Sequence, residues 1–163
     1  MKTKYLLLSG CTFLLAFLVF TCNRPQPLND EAEKAAIQKI IDMHLEGVDK
    51  LDINLIAPHL AEDHLEMPAN MDRISGVKPY LEYCQGFFDY AKNLKKHEMI
   101  CKANETVVSG NWAFQIGTYT FRTVDSNDSV QEDKGNYVWI FKKDSANNWK
   151  WARVISNSTL PMK

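Results

Sequence analysis

The stretch Trp112-Ala113-Phe114-Gln115-Ile116-Gly117-Thr118-Tyr119-Thr120-Phe121 decides the fold, because aromatic and β-branched residues fill it and no proline interrupts it. It belongs to a series of four such segments: His97–Val108, Trp112–Val124, Val130–Lys142 and Trp149–Asn157. Turn residues separate them: Ser109-Gly110-Asn111, Asp125-Ser126-Asn127-Asp128 and Asp144–Asn148. Strands joined by breaks of hairpin length predict a curved antiparallel meander. Both parities are apolar in two of the segments. Trp112, Phe114 and Ile116 oppose Ala113, Tyr119 and Phe121, and Tyr137, Trp139 and Phe141 oppose Val138 and Ile140. A sheet covered on one face alternates more cleanly. The second apolar face therefore needs a cover, and another copy of the chain is the economical one, so a homodimer is expected.

Upstream, the period changes from two to 3.6. Asn29 and Asp30 are candidate N-caps for a helix whose stripe is Ile37, Ile40, Ile41, His44, Leu45 and Val48. A shorter helix fits Ile53–Leu60, limited by Pro58. His64-Leu65-Glu66-Met67 reads as a brief strand closed by Pro68, and Ala69–Gly76 as a loop. A third helix over Val77–Leu94 places Tyr80, Leu81, Cys84, Phe87, Phe88 and Ala91 at helical spacing. Helices first and strands later make an α+β domain, assigned to residues 29–160.

The first residues are of another kind. Lys2 and Lys4 precede an apolar run from Tyr5 to Phe20, then Thr21-Cys22 and the polar tether 23–28. This is the layout of a secretory leader, 1–22, and the Cys at its boundary resembles the lipidation site of bacterial lipoproteins. The expectation is an exported envelope protein held to the membrane by lipid on Cys22, facing the periplasm from the outer membrane; an uncleaved N-terminal anchor is the alternative. The chain has 19 Lys and Arg against 20 Asp and Glu, for a net charge of −1. Losing Lys2 and Lys4 leaves 17 against 20, or −3. That balance offers no footprint for nucleic acid. Cys84 and Cys101 remain as two buried thiols or a disulfide, without zinc-ligand spacing.

Several motifs stand out together: Leu60-Ala61-Glu62-Asp63-His64-Leu65-Glu66-Met67-Pro68, Gly76, Ser109-Gly110-Asn111-Trp112-Ala113, Gly117-Thr118-Tyr119, Lys134-Gly135-Asn136-Tyr137, and Trp149-Lys150-Trp151-Ala152-Arg153 leading to Asn157. In this order of elements, from about Ile37 to Asn157, the chain resembles the nuclear transport factor 2-like superfamily, nearest its SnoaL-like and domain of unknown function 4440 branches. The resemblance implies a cone-shaped antiparallel sheet wrapped around three N-terminal helices, with an interior pocket. The superfamily includes isomerases, dehydratases, cyclases, non-catalytic binders and scaffolds, so the fold does not settle function.

Strand parity puts Trp149, Trp151, Arg153, Ile155 and Asn157 on one face of the last strand. A guanidinium there either projects into the cone to hold an anionic or carbonyl-bearing ligand, or is neutralised by Asp133, Glu66 or Asp42, or is exposed at the strand's end. Asn157 either shares that ligand or satisfies backbone. Tyr119, Tyr137, Trp139 and Trp151 give the pocket an apolar lining, suited to a small apolar molecule. His44 is a core histidine or an acid–base group. His64 and Glu66 share a parity, but no third ligand marks a metal site, and no cofactor is called for. Alignment of Pro68 with the superfamily puts Met67 where an isomerase base would stand and turns Glu66 to the opposite face. No Ser or Cys sits in a nucleophile elbow, and His59 and His97 read as surface residues. The leading expectation is a non-catalytic pocket anchored by Arg153 and Asn157. The alternatives are proton-transfer catalysis through His44, Glu66 or Arg153, and a dimeric scaffold.

Overall fold

In the computed structural model, which describes residues 30–161, helix α1 (Asp30–Lys50) buries Ile37, Ile40, Ile41 and His44 on one stripe. Lys50 occupies its last turn, where a cation complements the carbonyl end of the helix dipole. Asp52 caps α2 (Ile53–Ile56) by accepting from the Asn54 N–H at 2.9 Å. That helix gives way to a single 3-10 turn, Ala57–His59, at Pro58. Helix α3 (Val77–Ala91) buries Tyr80, Cys84, Phe88 and Ala91 and ends before the expected Leu94. Gly76 precedes it at φ 96°, with its N–H donating to the His64 carbonyl at 2.7 Å. A side chain would oppose that backbone conformation. The expected leader, tether and lipidation residue Cys22 lie outside the described residues.

The strands are β1 (Leu60–Met67), β2 (Ile74–Ser75), β3 (Lys96–Ser109), β4 (Trp112–Val124), β5 (Val130–Lys143) and β6 (Trp149–Ser158). They form one sheet in the order β2-β1-β6-β5-β4-β3. The meander β3 to β6 is antiparallel, as expected. Two expectations need correction. The first strand begins at Leu60 rather than His64, with β2 paired to it inside the supposed loop. It also runs parallel to β6, so the sheet is mixed rather than antiparallel throughout. A helix and four strands separate β1 from β6, so no tight turn forces them into opposite directions.

Local chemistry closes each hairpin. Gly110, at φ 60°, starts the two-residue turn between the paired Ser109 and Trp112. The next two hairpins repeat one device. Asp125 accepts from the N–H groups of Asn127 and Ser129, and Asp144 from those of Ala146 and Asn148. Asp128 (φ 64°) and Asn147 (φ 66°) then take the left-handed position.

One irregularity governs the interior. Phe141 pairs with Trp151 and the adjacent Ile140 with Arg153, which leaves Ala152 as an extra residue in β6. Such a bulge reverses which parity faces inward. Trp149 and Trp151 are buried before it, Val154 after it.

The helices pack on the inner face, α1 against β3 and β6 and α3 against β1. Trp151, Phe88, Phe141, Ile37, Ile41 and Ile56 are fully buried between the layers. Glu33 ties α1 to the sheet by accepting from Lys143 Nζ at 2.7 Å and Trp149 Nε1 at 2.5 Å. The outer face is open. Trp112, Phe114, Ile116 and Ile155 are exposed there beside Val138 and Ile140.

Candidate functional site

The helices and the sheet leave a partly open cavity of about 340 Å³ between them. Tyr119 and Phe121 of β4, Tyr137 and Trp139 of β5, and Val154 and Ser156 of β6 supply the sheet wall. Val48 and His44 of α1 and Tyr80, Tyr83, Cys84, Phe87 and Phe88 of α3 face them. Glu66 enters from β1, Asp133 from β5, Met99 from β3, and Met71 from the segment after β1.

Glu66 is buried, and burial raises its carboxyl above the usual range, with His64 opposing the shift. His64 Nε2 stands 3.8 Å from Glu66 Oε2. The other ring nitrogen, Nδ1, lies 3.0 Å from the Trp151 carbonyl. A carbonyl only accepts, so Nδ1 carries a proton, and Nε2 is the ring atom that faces Glu66. At 3.8 Å no hydrogen bond joins the two groups.

His44 differs. Burial, reinforced by His64 and His59, lowers its pKa to about 3, so the ring is neutral. It lies 4.5 Å from the Trp151 ring, and its Nε2 is 3.4 Å from the Tyr80 hydroxyl. Its Nδ1 has no hydrogen-bond partner among the described residues. Burial holds the Tyr80 phenol well above its ordinary value and pushes the Cys84 thiol up to about 11, so both stay protonated at neutral pH.

On the far wall, Asp133 accepts from the Tyr119 hydroxyl at 2.7 Å and from Ser158 Oγ at 2.6 Å. Tyr137 stacks on Trp139, with ring centroids 3.8 Å apart. Its hydroxyl donates to Gln115 Oε1 at 2.9 Å, and Gln115 Nε2 donates to Thr106 at 3.0 Å. That hydroxyl lies over Gly117, where a Cβ would collide with it. Burial pushes the Tyr137 phenol up to about 12.

The expected site therefore divides. Tyr119, Tyr137, Trp139, His44 and Glu66 line the cavity, while Trp151, Arg153 and Asn157 do not. Trp151 is core, in ring contact with His44, Trp139 and Phe141. Beyond the Ala152 bulge, Arg153 turns to the outer face. Its Nη2 pairs with Asp63 Oδ2 at 2.9 Å, and Nη1 donates to the carbonyls of Asp63 and Ala152, each at 2.7 Å. Lys142 joins Asp63 at 2.6 Å, and the two cations hold that carboxyl well below its usual range. Asn157 is exposed, 3.4 Å from both Asn136 Nδ2 and the Ser158 carbonyl. Glu66, in contrast, faces inward, beside Val154 of β6.

Asp133, Tyr80, Tyr83 and Ser156 are cavity residues that strand and helix counting left unassigned. Tyr80 was legible as part of the α3 stripe. Ser156 was hidden by the bulge. His59 and His97 are not simple surface residues. His59 Nε2 is buried, and His97 Nε2 donates to the carbonyls of Val48 and Asp49 at 3.2 and 3.1 Å. Cys84 and Cys101 are free thiols. Among the described residues, no group of three or more His, Cys, Asp or Glu is placed to hold a metal ion.

No protein-family model matches the chain, and no curated protein matches it. Solved structures do match. A nuclear transport factor 2-like superfamily protein from Salmonella enterica aligns at TM-score 0.69 and 18% identity, covering 82% of this chain and 95% of that one. A ketosteroid isomerase-like protein from Erwinia carotovora aligns at TM-score 0.65 and 18% identity, with 79% and 98% covered. A hexachlorocyclohexane dehydrochlorinase from Novosphingobium barchaimii aligns at TM-score 0.68 and 16% identity, with 80% and 88% covered. The fold is the nuclear transport factor 2-like cone, and at this identity the likeness speaks for the fold alone.

Proposed function

We propose that this domain binds a small, mostly apolar molecule inside the cone, at the envelope surface to which lipid on Cys22 would hold it. The carrying observation is the aromatic cavity of about 340 Å³ with a buried carboxyl turned into it. That volume lies in the range of sites for small ligands, and aromatic walls with a few polar points suit binding. Arg153 has no part in this reading, because it is paired on the outer face. Native mass spectrometry of the purified protein checks it. A ligand retained by wild type and by Arg153→Ala, and lost in the cavity-filling variant Ser156→Trp, is the expected result. Equal and empty spectra for all three, with no member of an apolar compound library raising the melting temperature of wild type above that of Ser156→Trp, would overturn it.

Proton transfer is the second reading, favoured by one observation: Glu66, desolvated beside His64, has the raised carboxyl of a general base or acid. It shares the cavity with the binding reading and differs only in whether the bound molecule leaves changed. The apolar outer face supports a further part of the proposal. Trp112, Phe114, Ile116, Val138, Ile140 and Ile155 carry no charge, so a second copy can lie across them without desolvating ions.

A further inference from the structure

We infer that the molecule held in the cone is an organic cation, an amine on an apolar body, recognised by Glu66 and the surrounding aromatic rings. The inference rests on the binding reading above and narrows its ligand to one charge class. Among the described residues, the cavity lining contains two carboxylates, Glu66 and Asp133, and neither Lys nor Arg. His44, the remaining basic side chain in the lining, is held neutral by burial.

The two acids differ in what they lack. Both oxygens of Asp133 already accept hydroxyl hydrogen bonds, from Tyr119 and Ser158. It therefore contributes a fixed negative field rather than an open acceptor. Glu66 is only 9% exposed, and among the described residues no donor reaches its carboxylate within hydrogen-bond distance, His64 Nε2 standing 3.8 Å away. His64 turns a lone pair toward it whenever the ring is neutral, since Nδ1–H is committed to the Trp151 carbonyl. A buried carboxylate without a donor is costly, and an ammonium placed against it supplies both the missing donor and the missing charge.

The rest of the wall suits the same guest. Trp139, Tyr83, Phe87 and Phe121 line the cavity, and their π faces attract a cation that has left water. An anion meets the opposite conditions: two like charges and no cationic partner in the lining. A neutral molecule gains the apolar contacts but leaves Glu66 unpaired.

The test uses three probes that share one apolar body: phenylbutylamine, phenylbutanol and phenylbutyrate. They are titrated calorimetrically into the wild-type domain and into Glu66→Gln at neutral pH. A charge-assisted hydrogen bond predicts that the amine binds wild type about tenfold or more tightly than the alcohol, with the carboxylate weakest. In Glu66→Gln the ratio of amine to alcohol falls severalfold, to what the Asp133 field alone sustains, while the alcohol keeps its affinity. Circular dichroism confirms that the variant is folded, and the wild-type ranking stands without it. Alcohol and amine binding wild type equally would overturn the charge assignment and leave the binding reading intact. An amine preference that survives undiminished in folded Glu66→Gln would also overturn it. Failure of all three probes to bind, with Ser156→Trp indistinguishable from wild type, would overturn both.

Discussion

Replacing His44 with Phe should remove a defined part of the protein's acid sensitivity. The ring is 7% exposed, and burial keeps it neutral in the folded state until about pH 3. In the unfolded chain it titrates near 6.5. Between those values the unfolded state binds a proton that the folded state refuses. The contribution is fully present above pH 6.5 and is lost as pH falls toward 3. From pH 7 to pH 5 the linkage amounts to about 2 kcal/mol, and this portion depends only on the folded ring staying neutral at pH 5. Over the whole window it approaches about 5 kcal/mol, a large share of a typical domain's stability. Glu66 acts in the opposite sense. Its raised carboxyl takes a proton in the folded state first, so acid adds stability as pH falls through its folded value toward 4.5. Subtracting variant from wild type cancels that contribution. Phe fills the site beside Trp151 and forfeits only the 3.4 Å contact with Tyr80. Urea denaturation of both proteins at pH 7 and pH 5 measures the difference. Wild type should lose about 2 kcal/mol more than His44→Phe over that interval. Parallel losses in the two proteins would refute the reasoning.

Two further expectations concern surfaces rather than the cavity. Ile116→Glu puts a charge in the middle of the apolar outer face and should weaken self-association at least about a hundredfold without changing the circular dichroism spectrum. Sedimentation equilibrium reads this, and a monomeric wild type across a wide concentration range would exclude the second copy. At the N-terminus, the full chain expressed in bacteria should incorporate a labelled fatty acid and partition into detergent, and Cys22→Ser should do neither. Undiminished labelling of Cys22→Ser would remove the lipid anchor.

Much of the architecture was legible because local chemistry and global packing agree in this chain. The α1 stripe through Ile37, Ile41 and His44 is buried as its spacing predicts. The Gly110 turn and the paired Asp125 and Asp144 turns end their strands where those residues stand. The two apolar parities of β4 and β5 correspond to two faces, one inside the cone and one exposed. The direction of β1 was not legible, since a strand paired across a long connection takes its orientation from packing rather than from a turn.

Arg153, Ser156 and Asn157 were misplaced from one cause. Counting by twos along Trp149-Lys150-Trp151-Ala152-Arg153 assumes an uninterrupted strand, but Ala152 is an extra residue, so the count is off by one from Arg153 onward. Adjacent apolar Trp151 and Ala152, both fully or nearly fully buried, were the available signal of the change. β1 carries a register shift of its own between Leu60 and Leu65, after which Leu65 pairs with Arg153 and Glu66 with Val154. Arg153 thereby leaves the interior for Asp63, and Glu66 enters it. The two irregularities together exchange the cation expected in the cavity for an anion. On the reading proposed above, a ligand held by Glu66 carries the charge opposite to one held by Arg153, since an acceptor buried without a donor favours a cation.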